Sequence, residues 1–75
     1  MAKTTLDARG LICPLPVLRA KRKLNELAPG DILEIFATDP NAKTDITSLC
    51  ASNGHELVES GFSEGVFTLV VRKAG

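Results

Sequence analysis

The stretch Ile32-Leu33-Glu34-Ile35-Phe36-Ala37 is apolar at every position but one. A near-continuous run of this length, with Pro29-Gly30 before it and Asp39-Pro40 after it, predicts a central strand over residues 31–38. Upstream, Val17, Ala20, Leu24 and Leu27 recur at steps of three, four and three, which is one face of a helix predicted over residues 14–28. Proline is tolerated in a helix's first turn, so Cys13 reads as the N-cap and Pro14 as the first helical residue. Pro29 cannot continue the helix, and Gly30 supplies a turn into the strand. A short strand over residues 4–8 precedes it. Downstream, Asp39-Pro40 repeats the cap pairing and opens a second helix over residues 40–53, with Ala42, Ile46, Leu49 and Asn53 on one stripe and Gly54 as its stop. Strands over residues 55–60 and 66–73 follow, joined by a hairpin turn at residues 61–65.

The resulting order is βαβαββ. Helices that are apolar on one side only pack together on one face of a sheet, so the expected fold is a two-layer α+β sandwich with two helices on one face of a four-stranded mixed sheet. At 75 residues the chain reads as one domain, residues 1–75. Nine basic and nine acidic residues give no formal net charge, which argues against a protein whose main task is coating phosphate backbones. With 44% hydrophobic and 24% charged residues, the composition fits a folded domain rather than a disordered tail. No apolar stretch approaches the roughly 20 residues that span a bilayer, so no membrane role is expected. Two cysteines without a further disulfide framework, and a start in which Met1-Ala2-Lys3 leads into polar residues rather than an apolar signal core, point to the cytoplasm.

The chemistry centres on Cys13-Pro14-Leu15-Pro16, a thiol at the mouth of a helix. The thiolate is the nucleophilic form, and a helix N-terminus favours negative charge. Pro14 and Pro16 remove two first-turn donors and leave the N–H groups of Leu15 and Val17, so the expected effect is a modest lowering of the thiol's pKa, with Arg9 or Arg19 as cations that add to it. A moderately activated thiol suits repeated exchange at sulfur. Cys50 sits four residues after Ile46 and beside Leu49, at the edge of the apolar stripe, and reads as a packed side chain. A Cys13–Cys50 disulfide is not expected, because the two occupy different ends of their helices. His55 with two distant cysteines matches no recognised zinc spacing, so no metal is expected. Asp7 and Asp39 read as turn or cap residues near the helix mouths. Arg9, Arg19 and Arg22 read either as a solvated face or as a docking surface near the thiol.

With Leu6-Asp7-Ala8-Arg9-Gly10-Leu11 leading into the cysteine motif, Pro29-Gly30, Asp39-Pro40 followed by Asp45-Ile46, Cys50 and His55-Glu56-Leu57, the chain resembles the TusA, or SirA-like, family of small sulfur carriers along nearly its whole length. The resemblance implies the same βαβαββ fold and a persulfide on Cys13, with no other cofactor, and Pro14, Pro16, Gly10 and Asp7 as supporting motif residues. It implies that sulfur arrives from a cysteine desulfurase or a rhodanese and passes to an acceptor protein, toward tRNA 2-thiouridine, molybdenum cofactor or sulfur oxidation. The alternative is a small nucleic-acid or regulatory binding module, since the layout also resembles the C-terminal domain of bacterial translation initiation factor three. Neutral charge and only Phe36, Phe62 and Phe67 as aromatics disfavour stable nucleic-acid binding. A thiol redox protein would ordinarily carry a resolving cysteine close to the first, where this chain has Pro14, Leu15 and Pro16.

Overall fold

The computed structural model describes residues 2–74; Met1 and Gly75, the two ends of the expected 1–75 domain, lie outside the described residues. The elements are β1 (Lys3–Ala8), α1 (Leu15–Asn25), β2 (Ile32–Ala37), α2 (Ala42–Asn53), β3 (Glu56–Ser63) and β4 (Val66–Arg72). Among the described residues the strands form one four-stranded sheet in the order β1-β2-β4-β3. The β1 and β2 strands are parallel, and β4 runs antiparallel to both β2 and β3. The expected mixed sheet with both helices on one face is therefore observed.

The central strand owes its place to its apolar run. In β2, Leu33, Ile35 and Ala37 are fully buried beneath the helices, and their register partners Val71 and Leu69 on β4 continue the same layer. Pro16, Ala20 and Leu24 of α1 and Ala42, Ile46, Leu49 and Cys50 of α2 close the core from above. Ala8 and Ala37 are partners at the carboxyl ends of the two parallel strands, and with Ala20 and Ala42 their small side chains let the helices sit close on the sheet. Ile32, Glu34 and Phe36 point to the opposite, half-covered face.

Element ends depart from the sequence reading for local reasons. The α1 helix begins at Leu15, with Pro14 rather than Cys13 at the cap position and Pro16 in the first turn. Leu15 N–H donates to the Ile12 carbonyl at 2.9 Å, so a turn closes across Cys13-Pro14 before the helix starts; the Cys13–Pro14 peptide bond is cis. The same helix ends at Asn25 instead of Ala28, because Asp31 reaches back: its Oδ2 accepts from Ala28 N–H at 3.0 Å, and its own N–H donates to the Ala28 carbonyl. Lys73 Nζ at the end of β4 donates to the Leu24 carbonyl at 2.7 Å, placing a cation where the helix's carbonyls are exposed. At α2, Asp39 is a turn residue rather than the cap: its Oδ2 accepts from Asn41 N–H at 3.2 Å, and Asn41 takes the cap position. The hairpin turn is narrower than expected, only Glu64-Gly65, both at positive φ as a two-residue turn demands. Phe62 and Phe67 face each other across it with ring centroids 4.6 Å apart, which carries the ladder past Gly61.

Gly54 stops α2 in the left-handed conformation, φ 75°. The Cβ of an alanine there would find only Ala74 Cβ at 3.9 Å, an ordinary contact. The cost of Gly54→Ala is then conformational, about 1–2 kcal/mol, and thermal unfolding should record a midpoint roughly 4–16 °C lower. An unchanged midpoint would show that the helix end relaxes into another conformation.

Candidate functional site

Because β1 and β2 are parallel, the loops that follow them leave the sheet at the same end, and the starts of α1 and α2 converge there. Open α/β sheets place their sites at such strand ends. The first loop is tightly built. Asp7 Oδ1 accepts from the backbone N–H of Arg9 at 3.1 Å, Gly10 turns the chain at φ 82°, and Gly10 N–H donates to Thr38 Oγ1 at 2.9 Å. That last bond ties the first loop to the end of β2. Leu11 packs against the core, and the chain then presents Ile12 and Cys13 outward. Asp7 and Gly10 of the predicted motif are thus structural supports of the loop that carries the thiol, while Pro16 is buried in the first turn of α1.

Cys13 is exposed and lines an open groove of about 390 Å³ between the two helices. Pro14, Val17 and Lys21 form its α1 wall; Asp45, Ser48, Leu49, Ser52 and Asn53 form its α2 wall. Cys13 Sγ donates to Asp45 Oδ2 at 3.3 Å. This reverses the expected electrostatics. The hydrogen bond to Asp45 raises the thiol's pKa above its ordinary value, followed by partial desolvation and by the negative charges of Asp45 and Asp39. The helix terminus offers little in return, since Pro14 and Pro16 lack N–H groups and the Leu15 N–H is taken by Ile12.

The arginines do not reach the thiol. Arg9 forms a two-pronged ion pair with Asp7, at 2.9 and 3.0 Å, whose hydrogen bonds hold the Asp7 carboxyl down at about 2. Arg19 and Arg22 line a separate depression with Leu6, Lys23 and Glu26. At 100° per residue, that flank of α1 is opposite the Val17–Lys21 flank on the groove. Exposed apolar side chains neighbour the thiol along the chain: Ile12, directly before it, is 70% exposed, and Leu15 and Leu18 of α1 are exposed as well. Cys50 is buried, its thiol pushed up by desolvation, and both cysteines are free. His55 sits just before β3, where its Nδ1 accepts from Ala74 N–H at 2.9 Å, so it ties down the end of the described chain. Among the described residues, no three His, Cys, Asp or Glu side chains gather as a metal site.

Asp45 is the site residue that the sequence did not assign. It stood in the motif after Asp39-Pro40, and Asp45, Ser48, Leu49 and Ser52 already follow helical spacing. That polar-edged stripe, one step round from Ile46, was the available signal.

Fold and site define a small α+β domain that presents one solvent-facing thiol at the mouth of an interhelical groove. A family model described as "Sulfurtransferase TusA" matches residues 4–73, and the chain belongs to the TusA family. It is 46% identical over 68 residues to the sulfur carrier protein TusA of Pseudomonas aeruginosa, covering 91% of this chain and 86% of that one. It is 44% identical over 69 residues to the sulfur carrier protein TusA of Allochromatium vinosum, covering 92% and 91% of the two chains. The crystal structure of a SirA-like protein from Desulfitobacterium hafniense superposes with a TM-score of 0.84 at 26% identity, covering 96% of this chain and 99% of that one. No helix among the described residues is long and apolar enough to cross a membrane.

Proposed function

We propose that this protein is a sulfur carrier that accepts sulfane sulfur on Cys13 as a persulfide and relays it to an acceptor protein. The observation that carries the reading is the solvent-facing Cys13 thiol in an open groove, on a chain whose family relatives are named sulfur carriers. The donor is a cysteine desulfurase or a rhodanese. Cys13 Sγ, as thiolate, attacks the outer sulfur of the donor's persulfide; a new S–S bond forms, the donor's S–S bond breaks, and its electron pair leaves on the donor's cysteine. An acceptor thiolate then attacks the outer sulfur on Cys13 and returns Cys13 as a thiolate. The sulfur moves with no net oxidation, and no resident cofactor is needed. This relay serves tRNA 2-thiouridine synthesis, molybdenum-cofactor supply or sulfur oxidation in the cytoplasm.

Intact-mass measurement after incubation with a cysteine desulfurase and cysteine tests the reading. A gain of one sulfur atom that reductant removes is expected. No gain with a desulfurase, a rhodanese or polysulfide would overturn it.

Arg19 and Arg22 belong to the same proposal as docking residues. Both lie in the basic depression on the far flank of α1, beside Leu6 and Lys23. Reversing both to glutamate is expected to slow loading about 3- to 10-fold at low ionic strength and to flatten its salt dependence, as rim charges act mainly on encounter. Unchanged rates across a salt series would remove them from the docking surface.

A further inference from the structure

We infer that Asp45 is a positioning residue that keeps the resting Cys13 protonated and aimed into the interhelical groove, so that the carrier reacts slowly with small electrophiles. The inference rests on the carrier reading above and adds the regulation of its site.

The geometry starts with α2. Asp45 lies in the first turn of that helix, and Asp45, Ser48, Leu49 and Ser52 make its groove-facing stripe. From the other side, Pro14, Val17 and Lys21 of α1 complete the groove around the Cys13 sulfur. Within it the Sγ–H···Oδ2 bond of 3.3 Å joins residues 32 positions apart in the chain. The charged groups that face this sulfur are Asp45 from α2, Asp39 from the loop before it, and Lys21 from α1. The ion pairs of the described residues involve neither Asp45 nor Lys21, so the lysine does not neutralise the carboxylate directly.

Ionising the thiol would therefore set an anion against a carboxylate in hydrogen-bond contact while losing the bond itself. Both effects favour the protonated sulfur. Two consequences oppose each other in rate: less thiolate is present at neutral pH, yet each thiolate is intrinsically more nucleophilic, with a Brønsted slope of about 0.4–0.5. The net effect on an uncatalysed exchange is suppression, because the thiolate fraction falls faster than the nucleophilicity rises. Sulfur acceptance begins when that proton leaves Sγ for solvent, after which the thiolate attacks as described above.

The test is the pH profile of thiol–disulfide exchange with 4,4′-dithiodipyridine, a neutral disulfide that the Asp45 charge does not repel. Wild type is compared with Asp45→Asn and Asp45→Ala, and with Glu59→Gln, which removes an acidic side chain on the sheet face away from the helices. Cys50 reports on folding in every sample, since its buried thiol should react only after denaturation. Expected are a half-maximal rate at lower pH in both Asp45 variants, a rate at pH 7 about two- to threefold above wild type, and a Glu59→Gln profile that stays on wild type. Superimposable profiles in proteins whose Cys50 remains protected would overturn the inference, and so would an equal shift in Glu59→Gln. This measurement involves no sulfur transfer; failure of the carrier reading appears separately, as a wild type that gains no sulfur.

Discussion

Replacing Cys13 with serine is expected to bring sulfur loading down to background, a loss of more than about 100-fold of the kind seen when an essential nucleophile is removed. A serine hydroxyl is far less ionised than a thiol and does not form the S–S bond on which transfer depends. The fold should tolerate the change, because Cys13 is exposed and its one side-chain bond, to Asp45, suits a hydroxyl donor as well. The contrast is Cys50→Ala. Cys50 is 4% exposed within the core and its thiol is pushed up by burial, so it offers neither access nor thiolate. That variant should load like wild type while unfolding more easily, since it removes a packed sulfur from beside Leu49 and Ile46. Loading that survives in Cys13→Ser and vanishes in a folded Cys50→Ala protein would move the sulfur site into α2.

Much of this arrangement could be read before the structure, and what escaped did so for physical reasons. The run from Ile32 to Ala37 marks the central strand because only a strand covered by both neighbours and helices needs so many apolar residues in succession. The burial of Cys50 and the stop at Gly54 follow from local spacing and backbone preference, and both are observed. Helix starts were misplaced by one or two residues, because Cys13-Pro14 and Asp39-Pro40 each close a turn of their own before the helix begins. Asp31 acts similarly at the end of α1, through bonds to Ala28 that no helical periodicity reveals.

The larger miss concerns the thiol's environment. Reading outward from Cys13 finds a helix terminus and nearby arginines, both of which favour the thiolate. The structure sets against them an aspartate from a different helix, brought in by the parallel pairing of β1 and β2. A contact across 32 positions carries no local pattern, and its sign decides the chemistry. The arginines, meanwhile, are absorbed elsewhere: Arg9 by its own neighbour Asp7, Arg19 and Arg22 by the opposite flank of α1.

The same central strand supplies the second large effect. Ile35 is fully buried in β2, pairing with Leu69 on β4 and Leu6 on β1 beneath both helices. Truncation to alanine removes three carbon atoms from a site walled on every side, and such cavities cost about 2–5 kcal/mol. A domain of this size holds only about 4–11 kcal/mol in total, so Ile35→Ala should lose much of its stability. With a urea dependence of about 1 kcal/mol per molar, the unfolding midpoint is expected to fall by 2 M or more. Ile35→Val, which removes one methylene, should cost about 0.5–1.5 kcal/mol. Ile12→Ala serves as the surface comparison, since Ile12 is 70% exposed and its loss should stay within about 0.5 kcal/mol. Equal midpoint shifts for Ile35→Ala and Ile12→Ala would show that β2 is not the centre of the core. Otherwise sulfur loading should follow the folded fraction of Ile35→Ala as urea is added, because the strand that holds the core also ends at the loop that, through Thr38, fixes the Cys13 turn.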